Sequence, residues 1–169
     1  TTIQKASVKS LTIQGEFYAY DACDANAVAG KIVDASADFS DFEVGDRVVC
    51  THYSGTVELS SIDDYFYATI TEVGEGYVQT SESTKVPTTG WRYLINQTVF
   101  DGDNINKRQI DFCNTPFRFM GISCYNIDNL ATYASETTGI IQECIFYSVK
   151  GSSVTNTHAA LNFCAFINC

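Results

Sequence analysis

A pair of carboxyl groups about 5 Å apart, or about 6.5–9.5 Å apart, can cleave a glycosidic bond, one acting as acid and the other as nucleophile or base. Among the acids in the second half of this 169-residue chain, Asp101, Asp103, Asp128, Glu136 and Glu143 are the ones to weigh for that chemistry. Asp101 and Glu143 fall at outward positions of the repeat described below, but no second acid shares either column, so no catalytic residue is assigned. Other chemistry is thinner. His52 and His158 lie in different halves, and no triad can be built around them from spacing. Seven cysteines, at 23, 50, 113, 124, 144, 164 and 169, include no C-x-x-C pair, so zinc or another bound metal is not expected. Gly74 and Gly76 lack the following Lys-Ser or Lys-Thr of a phosphate loop, and no cofactor is expected.

The elements that must position any site are set by an internal repeat. An eight-residue pattern occurs four times, at residues 95–102, 119–126, 141–148 and 161–168, with spacings of 24, 22 and 20. Its first position reads Ile95, Phe119, Ile141, Leu161; its fourth Thr98, Ile122, Cys144, Cys164; its sixth Phe100, Cys124, Phe146, Phe166; its eighth Gly102, Asn126, Ser148, Asn168. Positions four and six suit one face of a pleated strand, and the small residue at position eight suits a bend. Asp101 then shares its column with Tyr125, Tyr147 and Ile167, and Glu143 shares its column with Gln97 and Gly121. One strand per 20–24 residues is the period of a parallel solenoid, so the four segments are expected to be parallel strands of one sheet. Cys144 and Cys164 should lie one above the other and stay reduced.

These columns resemble the right-handed parallel β-helices of the pectate-lyase type, including those of phage tailspikes, over residues 91–169. A second resemblance is less specific. Phe42-Glu43-Val44-Gly45-Asp46 reads as a turn feeding a strand at Arg47 to Cys50, and Tyr67 to Thr80 as a hairpin joined at Gly74-Glu75-Gly76. Over residues 39–80 this order is similar to small β-barrel modules inserted in phage tail and tailspike proteins. Upstream, Val8 to Ile13 and Glu16 to Tyr20 read as strands kinked at Gly15, and the Ala-rich stretch 22–29 as a helical turn or two. Ser81 to Gly90 is polar and reads as a junction. The chain is therefore expected to be all-β, with an acidic barrel or sandwich over residues 1–88 and a right-handed, single-stranded parallel β-helix over 89–169. Trp91 would lie under the first coil as an apolar lid.

Composition sets the outer limits. The formal net charge is -10, and residues 1–90 hold fourteen acids against five bases. With no cluster of Lys and Arg, neither nucleic acid nor an anionic lipid surface is an expected partner. No apolar run approaches a membrane span, and Thr1-Thr2-Ile3-Gln4-Lys5 lacks the regions of a secretory signal. An odd count of cysteines, several in apolar columns, fits buried free thiols made in a reducing cytoplasm. The Asn96-Gln97-Thr98 sequon then reads as an ordinary coil segment.

The resemblances imply a structural or receptor-binding component of a virus or phage tail, a tailspike or tail fibre, located in the virion and assembled in the host cytoplasm. They imply a homotrimer, with other tail proteins and a host surface polysaccharide as partners. A polysaccharide lyase or glycoside hydrolase fragment and a bacterial surface adhesin are the alternative classes. The last repeat, ending at Ile167-Asn168-Cys169, carries no polar cap, so Leu161, Cys164, Phe166 and bare strand edges are expected to be covered by further chain or by neighbouring subunits.

Overall fold

In the computed structural model, residues 11–16, 18–25, 28–52, 57–58, 65–102, 116–127, 139–149 and 159–169 are described, and all their regular structure is β. Residues 1–10 and Asp103, Cys113, Asp128, Glu136 and His158 lie outside this set. The strands are β1 Leu11–Gln14, β2 Tyr18–Ala22, β3 Lys31–Val33, β4 Arg47–Thr51, β5 Val57–Glu58, β6 Tyr65–Gly74, β7 Tyr77–Thr80, β8 Arg92–Asn96, β9 Val99–Asp101, β10 Phe117–Met120, β11 Ser123–Tyr125, β12 Gly139–Gln142, β13 Ile145–Tyr147, β14 Ala159–Asn162 and β15 Ala165–Ile167. They form three sheets. Two are parallel ladders, β1-β10-β12-β14 and β5-β15-β13-β11-β9; the third is antiparallel, in the order β2-β8-β4-β6-β7-β3.

The repeat columns stack in the register expected of them. Phe119 faces Ile141, and Ile141 faces Leu161; Phe100, Cys124, Phe146 and Phe166 align along the other ladder. The segments do not form one sheet, however. The last three are each broken at the third position, where Gly121, Glu143 and Phe163 adopt φ of 63°, 54° and 55°, and the chain turns from one ladder into the other. A second left-handed corner follows at position eight, with Asn126, Ser148 and Asn168 at φ of 51°, 55° and 53°. Left-handed corners cost a non-glycine residue about 1–2 kcal/mol, and here hydrogen bonds from four of the corner amides to the next rung tie those corners down. Gly121 donates to Gln142 O, Glu143 to Asn162 O, Asn126 to Tyr147 O and Ser148 to Ile167 O, at 2.9–3.1 Å. Between the corners, Phe119, Ile122, Cys124, Ile141, Cys144, Phe146 and Cys164 fill an apolar interior.

The first rung departs from the expected pattern. Ile95 and Asn96 do not stack on Phe119 and Met120, because β8 pairs antiparallel with β2 and β4. Their place in the ladder is taken by Ile13 and Gln14 of β1, opposite Phe119 and Met120. The top rung is thus assembled from two distant pieces, residues 11–15 and 98–102. Where the corner should be, Glu16 N donates to Thr98 Oγ1 at 3.0 Å, and a Cβ on Gly15 would strike the Gly121 carbonyl. The antiparallel sheet is carried on the excursion between these two points.

That sheet has its own core, with Ile32, Phe39, Val48, Cys50, Phe66, Ile70, Val78 and Tyr93. The turn at 44–46, the strand from Arg47 and the hairpin at Gly74–Gly76 form as the sequence suggests, whereas no helix forms in the described part of 22–29. Trp91 packs on this core beside His52, their rings 6.5 Å apart and nearly parallel, not under the coils. Asp34 is buried within it. Its carboxylate accepts from Tyr93 Oη at 2.7 Å, Ser36 Oγ at 2.7 Å and Ser36 N at 3.0 Å.

One face of β4 and β8 belongs to that core and the other does not. Val49 and Leu94 point the opposite way and pack on Ile145, Ala165 and Ile167 of the second ladder, flanked by Tyr20, Tyr65, Tyr67 and Tyr147. The seventh repeat position, expected to face outward, is therefore covered by the antiparallel sheet at Tyr147 and Ile167, as is the fifth at Ile145 and Ala165. The expected bare edge is also partly closed, since β5 pairs with β15 and adds a rung below it. Cys164 and Ile167 are buried, while Leu161 remains exposed.

Three outcomes follow. Phe146 is fully buried and stacks on Phe166 at 4.8 Å, so Phe146→Ala should cost about 3–5 kcal/mol in urea unfolding. Burial works against ionisation of Asp34, but the hydrogen bonds from Ser36 and Tyr93 outweigh it and hold the carboxyl below its ordinary 3.8. A depressed folded value means stability present above the unfolded value and lost as pH falls through 3.8 and below, and Asp34→Asn should flatten that acid limb. Cys144 and Cys164 are free thiols that donate to the Gln142 and Ile141 carbonyls at 3.2 and 3.4 Å. Alkylation of the denatured, unreduced protein should label both.

Candidate functional site

Where the antiparallel sheet meets the second ladder, seven residues line a pocket of about 240 Å3. Arg47 comes from the start of β4 and Tyr67 from β6, while Val99 and Asp101 come from β9, Tyr125 and Asn126 from β11 and its corner, and Tyr147 from β13. Pleating explains the selection. Asp101, Tyr125 and Tyr147 are cross-strand partners in one column, and Arg47 and Tyr67 lie two registers apart on adjacent antiparallel strands, so both sets face the seam.

The tyrosines form a compact group. Tyr67 and Tyr147 stack with ring centroids 4.8 Å apart and planes within 20°, and Tyr125 sits 5.8 Å from Tyr147 and 6.1 Å from Tyr67. Arg47 lies over two of the rings, its Cζ 5.8 Å from the Tyr67 centroid and 5.6 Å from that of Tyr125, within cation–π range. Although Asp101 lines the same pocket, no carboxylate among the described residues comes within ion-pair distance of Arg47. Asp101 accepts from Asn126 Nδ2 at 3.3 Å, which presents a carboxylate and an amide side by side at the rim.

Below them, polar atoms are shut in. The Tyr125 hydroxyl and the Ser123 hydroxyl, both on β11 and both buried, neighbour one another and the Tyr67 phenol but make no well-aligned hydrogen bond among the described residues. Burial first, and then the neighbouring Tyr67 phenol, push ionisation of Tyr125 far above the ordinary tyrosine range. Burial likewise raises Tyr67. Both phenols are therefore neutral at any physiological pH and act as hydrogen-bonding groups and apolar faces.

Glu143 is not part of this pocket. It occupies the left-handed corner between β12 and β13, half-buried, where its carboxylate accepts from Gln142 Nε2 at 2.8 Å and its carbonyl accepts from Asn96 Nδ2 at 3.1 Å. The structure does not bring Asp101 and Glu143 into one site. Asn96 proves to be a buried β8 residue that fastens the antiparallel sheet to the ladder corner. Arg47 and Tyr67 were missed as site residues. The available signal was the rarity of bases in residues 1–90, one of which stands at the head of an apolar strand.

A broader groove of about 970 Å3 lies at the far end of the antiparallel sheet, beside Lys31, Asp38, Phe39 and Tyr77. Its cation is engaged, with Lys31 Nζ 3.5 Å from the Tyr77 ring centre. Among the described residues no cluster of three or more His, Cys, Asp or Glu could hold a metal, and no helix is long and apolar enough to cross a membrane.

Two solved structures are similar to this chain. The tailspike gp61 of Pseudomonas phage phi297 matches 94% of this chain and 32% of its own length, with a TM-score of 0.39 and 14% identity. The Gp54 tailspike of Acinetobacter baumannii bacteriophage AP22, in complex with A. baumannii capsular saccharide, matches 92% of this chain and 39% of its own, with a TM-score of 0.29 and 10% identity. The chain spans about a third of the length of these tailspikes. No protein-family model and no curated protein matches it.

The corner at Glu143 makes a backbone test. Glycine there relieves left-handed strain but loosens the unfolded chain, so Glu143→Gly should stay within about 1 kcal/mol of the parent. Glu143→Val places a β-branched residue at positive φ and should cost about 1–2 kcal/mol, read by urea denaturation.

Proposed function

We propose that this chain is a structural, host-binding part of a phage tailspike or tail fibre, and that the seam pocket takes a sugar unit of a host surface polysaccharide. The observation that carries the reading is the composition of that pocket: aromatic faces beside Arg47, Asp101 and Asn126, in about 240 Å3. Such a volume lies under the roughly 300–1,000 Å3 of drug-sized pockets and suits one ring of a longer chain. Sugars offer apolar C–H faces to aromatic rings and hydroxyls to carboxylates, amides and guanidinium groups, and all of these converge here.

Binding is favoured over cleavage because Asp101 is the one carboxylate among the described residues that line the pocket, whereas glycoside hydrolysis uses two. The ladders support a frame for repeated surface presentation. In this reading they are coils of a right-handed parallel β-helix of the pectate-lyase type over residues 89–169, with an acidic antiparallel module over 1–88 and strands exchanged between the two. The working assembly is a homotrimer in the virion, beside other tail proteins, and exposed Leu161 and Val99 supply apolar surface for subunit contacts. Free buried thiols fit assembly in the host cytoplasm.

The test is retention of the purified protein on a panel of bacterial capsular polysaccharides, with release of reducing ends measured in parallel. Retention without chain cleavage is expected, weakened about 3–10-fold by Tyr147→Ala through loss of one aromatic face. Cleavage in step with binding would make the protein a depolymerase, and a monomer by light scattering would refute the trimer.

A further inference from the structure

We infer that the sugar unit taken by the seam pocket is an acidic one, a pyranose whose carboxylate is received by Arg47 while its hydroxyls meet Asp101 and Asn126. This rests on the saccharide-binding reading of the same pocket and narrows it to one ligand class. Arg47 is half-buried and lies over the rings of Tyr67 and Tyr125, and no described carboxylate comes within ion-pair distance, although Asp101 lines the same cavity.

A guanidinium lying over aromatic rings engages them through its charge and keeps its N–H donors for a planar, bidentate acceptor, and a carboxylate is the acceptor of matching geometry. In a chain of net charge -10, with only Lys5, Lys9, Lys31, Arg47 and Lys85 as bases in its first 90 residues, such a cation marks a local reversal of potential. Asp101 at the opposite rim prevents the pocket from being a general anion trap. It accepts hydrogen bonds and would repel a second negative group, which selects a single acid on a hydroxylated ring over a sulfate- or phosphate-rich ligand. Tyr125 and Tyr147 add aromatic surface to the same lining, against which the apolar face of a pyranose can rest.

The chemistry has two natural sources, a hexuronate with its carboxylate on C5 and a nonulosonate with its carboxylate on the anomeric carbon. A glycan array carrying both, together with neutral and sulfated glycans, separates them using the full chain. Carboxylate-bearing glycans should be retained, and carboxyl reduction of the retained glycan to the alcohol should weaken binding about 10–100-fold. Arg47→Gln should produce a comparable loss for the acidic glycan and a clearly smaller one for the reduced glycan. Arg47→Lys should recover part of it, because charge is kept and the planar fork is not. Carboxyl reduction leaves the protein untouched and decides the matter if Arg47→Gln fails to fold. Retention of neutral glycans that is indifferent to Arg47→Gln would overturn this inference and leave the saccharide reading standing. Preference for sulfated glycans would overturn the carboxylate assignment, and retention of no glycan at all would remove both readings.

Discussion

The structure depends on two strands being apolar on both faces. β4 and β8 turn Val48, Cys50, Tyr93 and Ile95 toward the core of the antiparallel sheet, and Val49 and Leu94 toward the second parallel ladder. Continuous burial along both strands follows, in place of the alternation of a half-exposed sheet. Without this shared pair the antiparallel sheet would be an appendage on a loop. With it, Ile145, Ala165 and Ile167 are sealed from water, and a tyrosine cluster collects at the margin of the apolar contact. The pocket lies at that margin, lined by Arg47 and Tyr67 from one sheet and by Asp101, Tyr125 and Tyr147 from the other.

Composition and period carried a good deal of this. The all-β class, the hairpin around Gly74–Gly76 and the register of the repeat columns were legible because they depend on local chemistry: β-branched and aromatic residues, turn residues and a spacing near twenty. The bends at position eight were legible for the same reason, since Asn126, Ser148 and Asn168 are residue types that turn readily. The corner at position three was not. Gly121 announces it in one copy, but Glu143 and Phe163 do not look like left-handed residues, and only the ladder hydrogen bonds on either side hold them there. Ile95-Asn96-Gln97 imitated the start of a rung, while the segment that fills the place, β1, lies more than eighty residues upstream. Nothing local could report that exchange.

The candidate site shows the same division. Asp101 and the tyrosines beneath it were visible as a column, but as a solvent-facing stripe; the sheet that covers them comes from another part of the chain. Arg47 and Tyr67 join the site only through tertiary docking, so no spacing rule links them to Asp101. Glu143, which looked equivalent to Asp101 by column logic, is instead a corner residue whose backbone conformation distinguishes it.

The split first rung also sets a timetable. β1 emerges from the ribosome early, but its partner β10 is made about a hundred residues later, and at roughly 5–20 residues per second that is a wait of about 5–20 s. Throughout it, Leu11 and Ile13 have no ladder to join, and the intervening antiparallel sheet has time to close on itself through β4, β6 and β7. The finished sheet then holds Gly15 and Thr98 side by side, so the chain entropy of bringing β1 to β9 has been met before the first coil begins. The antiparallel sheet thus stands in the chain between the two pieces of the first rung and brings them together, so that β10 meets an edge already in place.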